Sequence, residues 1–252
     1  MKFLKNKNEE IIKNLIPLGD KGIPGERDDM LKPKMTGRRG RYEHIQRYRF
    51  AIRKIGSNKK VLDLGCGTGY GSELLYKEGN KVYGIDISQK AIDYAKKTYP
   101  GPEYICCSAE RLPFEDNFFD AVTAFEVIEH VQNPEKTLDE IYRVLKEDGD
   151  LFISTPNPQH FGNALKHFLL RKPYLEKVHM DNVYHVKEFT CDEFLDFLQN
   201  NGFKIVFQYG QPFPLWKISI LLEKTIFFER FPRIVGFPFL KYAWTIVVYA
   251  KK

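Results

Sequence analysis

The chain reads as an α/β protein with a mostly parallel sheet covered on both faces. Three observations lead there. Short runs rich in Val, Ile, Leu and Tyr alternate with stretches whose apolar residues fall at helical spacing, from Lys60 to Tyr209. Glycines and helix-capping residues stand at the junctions between them. The first apolar run, VLDLG, passes directly into a glycine-rich loop and is followed by a second run, VYGID, that ends in an acid. Strands that alternate with helices cannot pair as hairpins; crossovers make them parallel and place helices on both sheet faces.

In chain order, residues 1–40 read as a charged lead-in or lid punctuated by Gly19, Gly22, Pro24, Gly25, Pro33 and Gly37. Residues 41–252 then form the main domain. Arg41 to Ile55 is a helix, because Tyr42, Ile45, Tyr48, Ala51 and Ile52 share one face. Lys60 to Leu64 is the first strand, and Tyr70 to Glu78 its helix, stopped by Gly79. Lys81 to Ile85 is the second strand, after which Ser88 caps a helix bearing Ala91, Ile92 and Ala95. Tyr104 to Cys107 and Ala121 to Phe125 are strands three and four. Asn133 caps the next helix, Pro134 takes its first turn, and Leu138, Ile141, Tyr142 and Leu145 line it up to a stop at Gly149. Leu151 to Ser154 is strand five. Thr190 and Glu193 form a capping box for a helix that Gly202 ends, and Ile205 to Tyr209 and Trp244 to Tyr249 complete the sheet. An apolar insertion, about 211–242, precedes the final strand.

Composition bounds the function. At 252 residues and 43% apolar content the chain suits one domain with an additional lobe. Lysine and arginine outnumber acids 39 to 33, for a net charge of +6, a mild lean toward anionic partners and not the footprint of a dedicated nucleic-acid binder. The four cysteines, Cys66, Cys106, Cys107 and Cys191, have neither zinc-site spacing nor the density of a disulfide scaffold. With no signal-like or membrane-spanning apolar run, a cytoplasmic protein is expected.

The glycine loop and the acid after it carry the chemistry. Gly65, Gly67 and Gly69 bring bare backbone to the end of the first strand, and Asp86 follows about 20 residues later, placed to accept ribose hydroxyls. A dinucleotide site wants its third glycine where Tyr70 stands, since the pyrophosphate sits on the helix N-terminus there. A nucleoside without phosphates needs no such cradle, which favours S-adenosylmethionine over NAD.

Taken together, VLDLGCGTGYGS, GIDIS, SAERLPFEDNFFDAVTAFEVIEH and RVLKEDGDLFISTPN resemble, in order and spacing, the motifs of the class I S-adenosylmethionine-dependent methyltransferases, over about Tyr42 to Tyr209. The resemblance implies a Rossmann-like, doubly wound seven-stranded sheet with an antiparallel last strand. It implies cofactor contacts from Asp63, Gly65, Cys66, Gly67 and Gly69, from Asp86 and Ile87, and from Ser108, Ala109 and Glu110 near the adenine. Asp63 would lie near the methionine end, its buried charge satisfied by loop N–H groups. Ser108 stands where the family commonly has an aspartate that accepts the adenine amine, a weaker acceptor than an anion. Phe125 packs near the cofactor or simply in the core.

In FEVIEH, Glu126, Glu129 and His130 fall at i, i+3 and i+4, so a helical turn there would converge them on one point. Two carboxylates and an imidazole suit Mg or Mn, with His185 as a fourth ligand and His179 as its competitor. The ExxEH pattern resembles ubiquinone-biosynthesis O-methyltransferases and, with a distant histidine, small-RNA 2′-O-methyltransferases. The alternative is metal-free: His130 as general base, with glutamates favoured by a helix dipole. His130 and His185 are the catalytic candidates.

For the acceptor, EHIQRYRFA, IPGER and NVYHVKEFT resemble bacterial methyltransferases associated with cell-surface saccharides, which points to a hydroxyl of a sugar, glycan or related small molecule. An RNA end, a quinone or a lipid-linked phenol is the alternative, and a cofactor-binding scaffold the non-enzymatic one. The arginines from Arg38 to Arg53 read as a solvated basic face. The insertion at 211–242 reads as a lid or interface, with peripheral contact at the inner membrane surface as its alternative.

Overall fold

The computed structural model describes residues 38–159, 186–211 and 243–252. The N-terminal arm before residue 38, the histidines His179 and His185 and nearly all of the apolar insertion lie outside the described residues.

The sheet has seven strands: β1 (Lys60–Leu64), β2 (Lys81–Asp86), β3 (Glu103–Cys106), β4 (Phe119–Phe125), β5 (Leu145–Pro156), β6 (Lys204–Gln211) and β7 (Thr245–Lys251). Their spatial order is β3-β2-β1-β4-β5-β7-β6. β1 pairs in parallel with β2 and β4, β2 with β3, and β4 with β5. β7 enters antiparallel between β5 and β6, as expected for the last strand. The helices are α1 (Arg38–Ile55), α2 (Tyr70–Lys77), α3 (Gln89–Thr98), α4 (Pro134–Val144) and α5 (Cys191–Asn200).

Strand periodicity divides the core. Val61, Val82, Phe125, Phe152, Val247 and Tyr249 face α1 and α2 together with Tyr48, Ala51, Ile55 and Leu75. Their alternates Leu62, Leu64, Tyr83, Ile85, Ile153, Ile246 and Val248 face Leu138 and Ile141 of α4 and Phe194 and Leu198 of α5. The caps hold: Ser88 Oγ accepts from Ala91 N–H, Asn133 from Lys136 N–H, and Thr190 with Glu193 closes a complete capping box.

Two boundaries differ from expectation. α1 begins at Arg38, inside the expected lead-in. α4 ends at Val144 and not at Gly149, because Leu145 turns extended to open β5 and pairs with Phe119. Leu145 is fully buried either way, so its place on the apolar stripe did not reveal the change of conformation. Gly149 serves close packing inside β5: a Cβ there would lie 2.7 Å from Lys146 O.

Candidate active site

β1 is where the chain reverses direction across the sheet, running outward to β2 and β3 and then returning to β4 on its other side. In open α/β sheets the crevice beyond the carboxyl ends of such strands is where ligands bind. The glycine loop occupies it. Gly65 follows β1 at φ 69, and a Cβ there would collide with Val127 Cγ2, in the turn after β4. Gly69, the N-cap of α2, has φ 85 with no side-chain cap, and a Cβ on it would run into Ala95 and the Tyr104 hydroxyl at 2.7 Å. Only glycine meets both demands without strain.

Asp86 ends β2 beside this loop. Its Oδ2 accepts from Gly67 N–H at 3.0 Å and its Oδ1 from Ser88 N–H at 2.8 Å. The acid therefore shapes the loop as well as facing the crevice. Each carboxylate oxygen accepts two hydrogen bonds, so one position on each stays open for a vicinal diol. Beside it Ile87 is 70% exposed, a large apolar surface available to cover a flat base. Cys66 is turned into the core with Ile92, Ala95 and Tyr104, and burial, with Asp63 and Asp86 nearby, pushes its thiol well above the usual range. That position offers the crevice its backbone.

Asp63 is fully buried, and its partners correct the expectation. Loop N–H groups do not reach it. The hydroxyls of Tyr48 and Thr123 donate to Oδ1 at 2.9 and 2.7 Å, and that of Ser72 to Oδ2 at 2.6 Å. Burial still outweighs these bonds and lifts its pKa from 3.8 to about 6. Asp63 thus ties together α1, β1, α2 and β4 beneath the loop.

After β3, Cys107 N–H donates to Asp86 O, which brings Ser108 to the crevice edge. Ser108 Oγ accepts from Glu110 N–H. Glu110 turns its carboxylate to Gln132 and Asn133, whose N–H groups each donate to Oε1 at 3.0 Å, so it braces the loop before α4. Ala109 packs on the main core. Phe125 is 3% exposed and meets Tyr48 edge-on at 5.0 Å, an arrangement of core packing.

The expected helical turn at Glu126 does not form. Glu126 takes φ 59, and its N–H donates back to Ser154, so the chain bends at once; a single turn follows, closed by His130 N–H to Val127 O. A left-handed residue breaks the consecutive α conformations that would place i, i+3 and i+4 on one face. Glu126 is instead held by Arg47, Nη1 to Oε1 2.7 Å, and by the Ser154 hydroxyl at 3.2 Å. Glu129 is 1% exposed. Thr155 hydroxyl approaches its Oε2 at 3.5 Å, and its Oε1, 3.8 Å from His130 Nε2, has no hydrogen-bond partner. Burial, reinforced by Glu126, holds the Glu129 carboxyl well above the usual carboxylate range. Among the described residues no three His, Cys, Asp or Glu side chains come together as a metal site, and His185 lies outside them.

Arg47 also corrects the sequence reading. It is 5% exposed, not part of a solvated face; beyond Glu126 and Ser154 its Nε donates to Gln211 Oε1 at 2.9 Å. It straps α1 to the ends of β4, β5 and β6. Arg47→Ala is expected to lower stability by about 2 kcal/mol, discounted because Glu126 keeps a hydroxyl partner and some solvent. Thermal denaturation should show a midpoint about 5 °C lower, and Arg47→Lys should recover only part of it, since an ammonium cannot span three acceptors from one plane.

Helical spacing held an unused signal: His44, Arg47, Tyr48 and Ala51 share one face of α1, so the polar residues there accompany the buried stripe.

Known proteins match this architecture. Residues 62–153 fit the family model described as a methyltransferase domain. A probable S-adenosylmethionine-dependent methyltransferase of Mycobacterium tuberculosis is 30% identical over 152 residues, 60% of this chain and 51% of that protein. The ubiquinone biosynthesis O-methyltransferase of Coxiella burnetii is 39% identical over 103 residues, 39% of this chain and 44% of that one. The chain thus spans about half the length of these curated relatives. Among solved structures, an S-adenosylmethionine-dependent methyltransferase from Archaeoglobus fulgidus superposes with a TM-score of 0.60 at 21% identity, covering 90% of this chain and 100% of that one. The cyclase SpnF superposes at 0.58 with 19% identity over 81% of this chain and 79% of its own, so the fold alone leaves the reaction open. Glycine loop, acid and sheet order agree with the family match, and over residues 62–153 the chain carries a methyltransferase domain with the fold of S-adenosylmethionine-dependent methyltransferases.

Proposed function

We propose that this chain transfers the methyl group of S-adenosylmethionine to a hydroxyl oxygen of a sugar, glycan or related small acceptor. The observation that carries the cofactor half is Asp86, clamped by Gly67 and Ser88 N–H with acceptor positions left on both oxygens. Asp86 would hold the ribose, the Gly65 to Gly69 backbone would border the sulfur end, and Ile87 with the Ser108 to Glu110 turn would enclose the adenine. When bound, S-adenosylmethionine supplies a methyl group on a positively charged sulfur, open to in-line displacement by an oxygen nucleophile. The chain's part is to orient that oxygen and take its proton. His130 is the group for this role: Nε2 receives the proton 3.8 Å from Glu129 Oε1, with its side chain 21% exposed beside the crevice.

The pairing of Glu126 with Arg47 favours the metal-free mechanism over a Glu126, Glu129, His130 and His185 cation site. A divalent ion would have to draw Glu126 away from its guanidinium. The acceptor reading rests on the likeness of EHIQRYRFA to saccharide-associated methyltransferases; the Coxiella relative supports a phenolic acceptor as the second reading.

Calorimetry with S-adenosylhomocysteine and with NAD tests the cofactor. Labelled S-adenosylmethionine offered with sugar nucleotides, catechols and short RNA, with and without EDTA, tests the reaction. Binding of NAD alone overturns the proposal. Cofactor binding without transfer to any acceptor class favours a scaffold, and loss of transfer in EDTA restores the metal. No helix among the described residues is long and apolar enough to cross a membrane. Sedimentation with anionic vesicles checks surface contact by the 211–242 segment.

A further inference from the structure

α1 brings one more polar group to the crevice. His44 lies between Tyr70, the first residue of α2, and Phe125, the last of β4, with ring centroids 5.7 and 6.3 Å from its own; Tyr48 lies 5.6 Å away. It therefore roofs the gap between the glycine loop and the end of β4. The Tyr70 hydroxyl bonds to Nδ1. Burial, aided by the Arg47 charge, lowers the imidazole's pKa from 6.5 to about 3, so the ring is neutral at physiological pH. In the tautomer taken here, in which Nδ1 accepts from the Tyr70 hydroxyl, the ring's one proton sits on Nε2.

That Nε2–H is buried and has no hydrogen-bond partner. Orphaned buried donors are uncommon in native proteins and call for a cause. A second feature lies alongside: Gly69, the N-cap of α2, supplies no side-chain acceptor to the positive end of that helix. Both features favour an acceptor oxygen carrying negative charge.

We infer that His44 is a positioning residue for the cofactor, donating from Nε2 to the carboxylate of its amino-acid tail; this rests on S-adenosylmethionine being the ligand. Tyr70, standing where a dinucleotide site would need glycine, then fixes the tautomer that makes His44 a donor. His44 is consequently no general base, since Nδ1 is engaged and Nε2 already carries a proton.

Calorimetry on the full chain with S-adenosylhomocysteine and with methylthioadenosine, which shares the nucleoside and sulfur but lacks the amino-acid tail, separates this role from a structural one. His44→Asn keeps an acceptor for Tyr70 but ends short of Nε2, whereas His44→Gln places an amide N–H near it. His44→Asn is expected to bind S-adenosylhomocysteine about tenfold more weakly with methylthioadenosine unchanged, and His44→Gln to recover most of the loss. Unaltered S-adenosylhomocysteine binding by His44→Asn overturns the inference. Equal loss for both nucleosides does so too, since it marks a role in packing. Wild-type protein that binds neither nucleoside overturns the cofactor reading and this inference together.

Discussion

Asp86→Ala is expected to weaken S-adenosylhomocysteine binding about 100-fold while leaving the protein folded. Two hydroxyls on one ionised carboxylate are charge-assisted bonds, each contributing about 1.5 kcal/mol or more, and every 1.4 kcal/mol is about a factor of ten in affinity. The same substitution frees the N–H groups of Gly67 and Ser88, so the loop that borders the ligand also loses its clamp. Those N–H groups lie at a half-buried edge that water reaches, which keeps the stability cost near about 1 kcal/mol. Asp86→Asn should fall between wild type and alanine, because its amide keeps one acceptor oxygen and loses the charge. Calorimetry with circular dichroism on the same samples checks both parts. An alanine variant within about twofold of wild type would remove Asp86 from the site.

The largest effect on stability is expected at Asp63. Asp63→Ala strands the hydroxyls of Tyr48 and Ser72 beneath the glycine loop, while that of Thr123 falls back on Leu62 O at 3.3 Å. Buried unsatisfied donors cost about 1–3 kcal/mol each before rearrangement, so a loss of about 4 kcal/mol is expected, with a melting midpoint about 10 °C lower. Asp63→Asn, which keeps the volume and one acceptor oxygen, should cost much less.

The wild-type carboxyl adds a pH signature. Its folded pKa of about 6 stands above the ordinary 3.8, so the folded state holds this proton more tightly than the unfolded chain does. Its contribution is fully present below pH 3.8 and declines as pH rises through about 6, by about 3 kcal/mol in all. Carboxylates with lowered pKa values, such as Asp120 beside Lys146 and Glu140 beside Arg143, give the opposite slope, so the quantity to measure is the difference between wild type and Asp63→Asn. Denaturant titrations at pH 4.5 and 7 should show wild type losing ground to the variant at the higher pH. A constant difference would mean that the Asp63 hydroxyl partners offset its burial.

The elements predicted from sequence that held are those whose cause is local. Ser88, Asn133 and the Thr190–Glu193 box satisfy N–H groups three residues away, and Gly79 and Gly202 end helices at φ 85 and 88. The short apolar runs of β1, β2 and β7 need only a sheet with two covered faces. The expectations that failed each turned on a distant partner. Glu126 fits a helical turn by spacing alone; Ser154, 28 residues on, draws its N–H into a bend, and Arg47, 79 residues back, takes its carboxylate. Leu145 is as apolar on a helix stripe as in a strand, and pairing with Phe119 chose the strand.

The order of strands and helices, the bare-backbone loop after β1 and the acid that closes β2 were determined by the sequence alone, because capping, periodicity and glycine's freedom act within a few residues. The tertiary structure decided what surrounds them: the hydroxyls on Asp63, the burial of Arg47, and the unpaired Nε2–H of His44 above the crevice. Those are encounters between residues far apart in the chain, fixed only when α1 docks on the ends of β1 and β4.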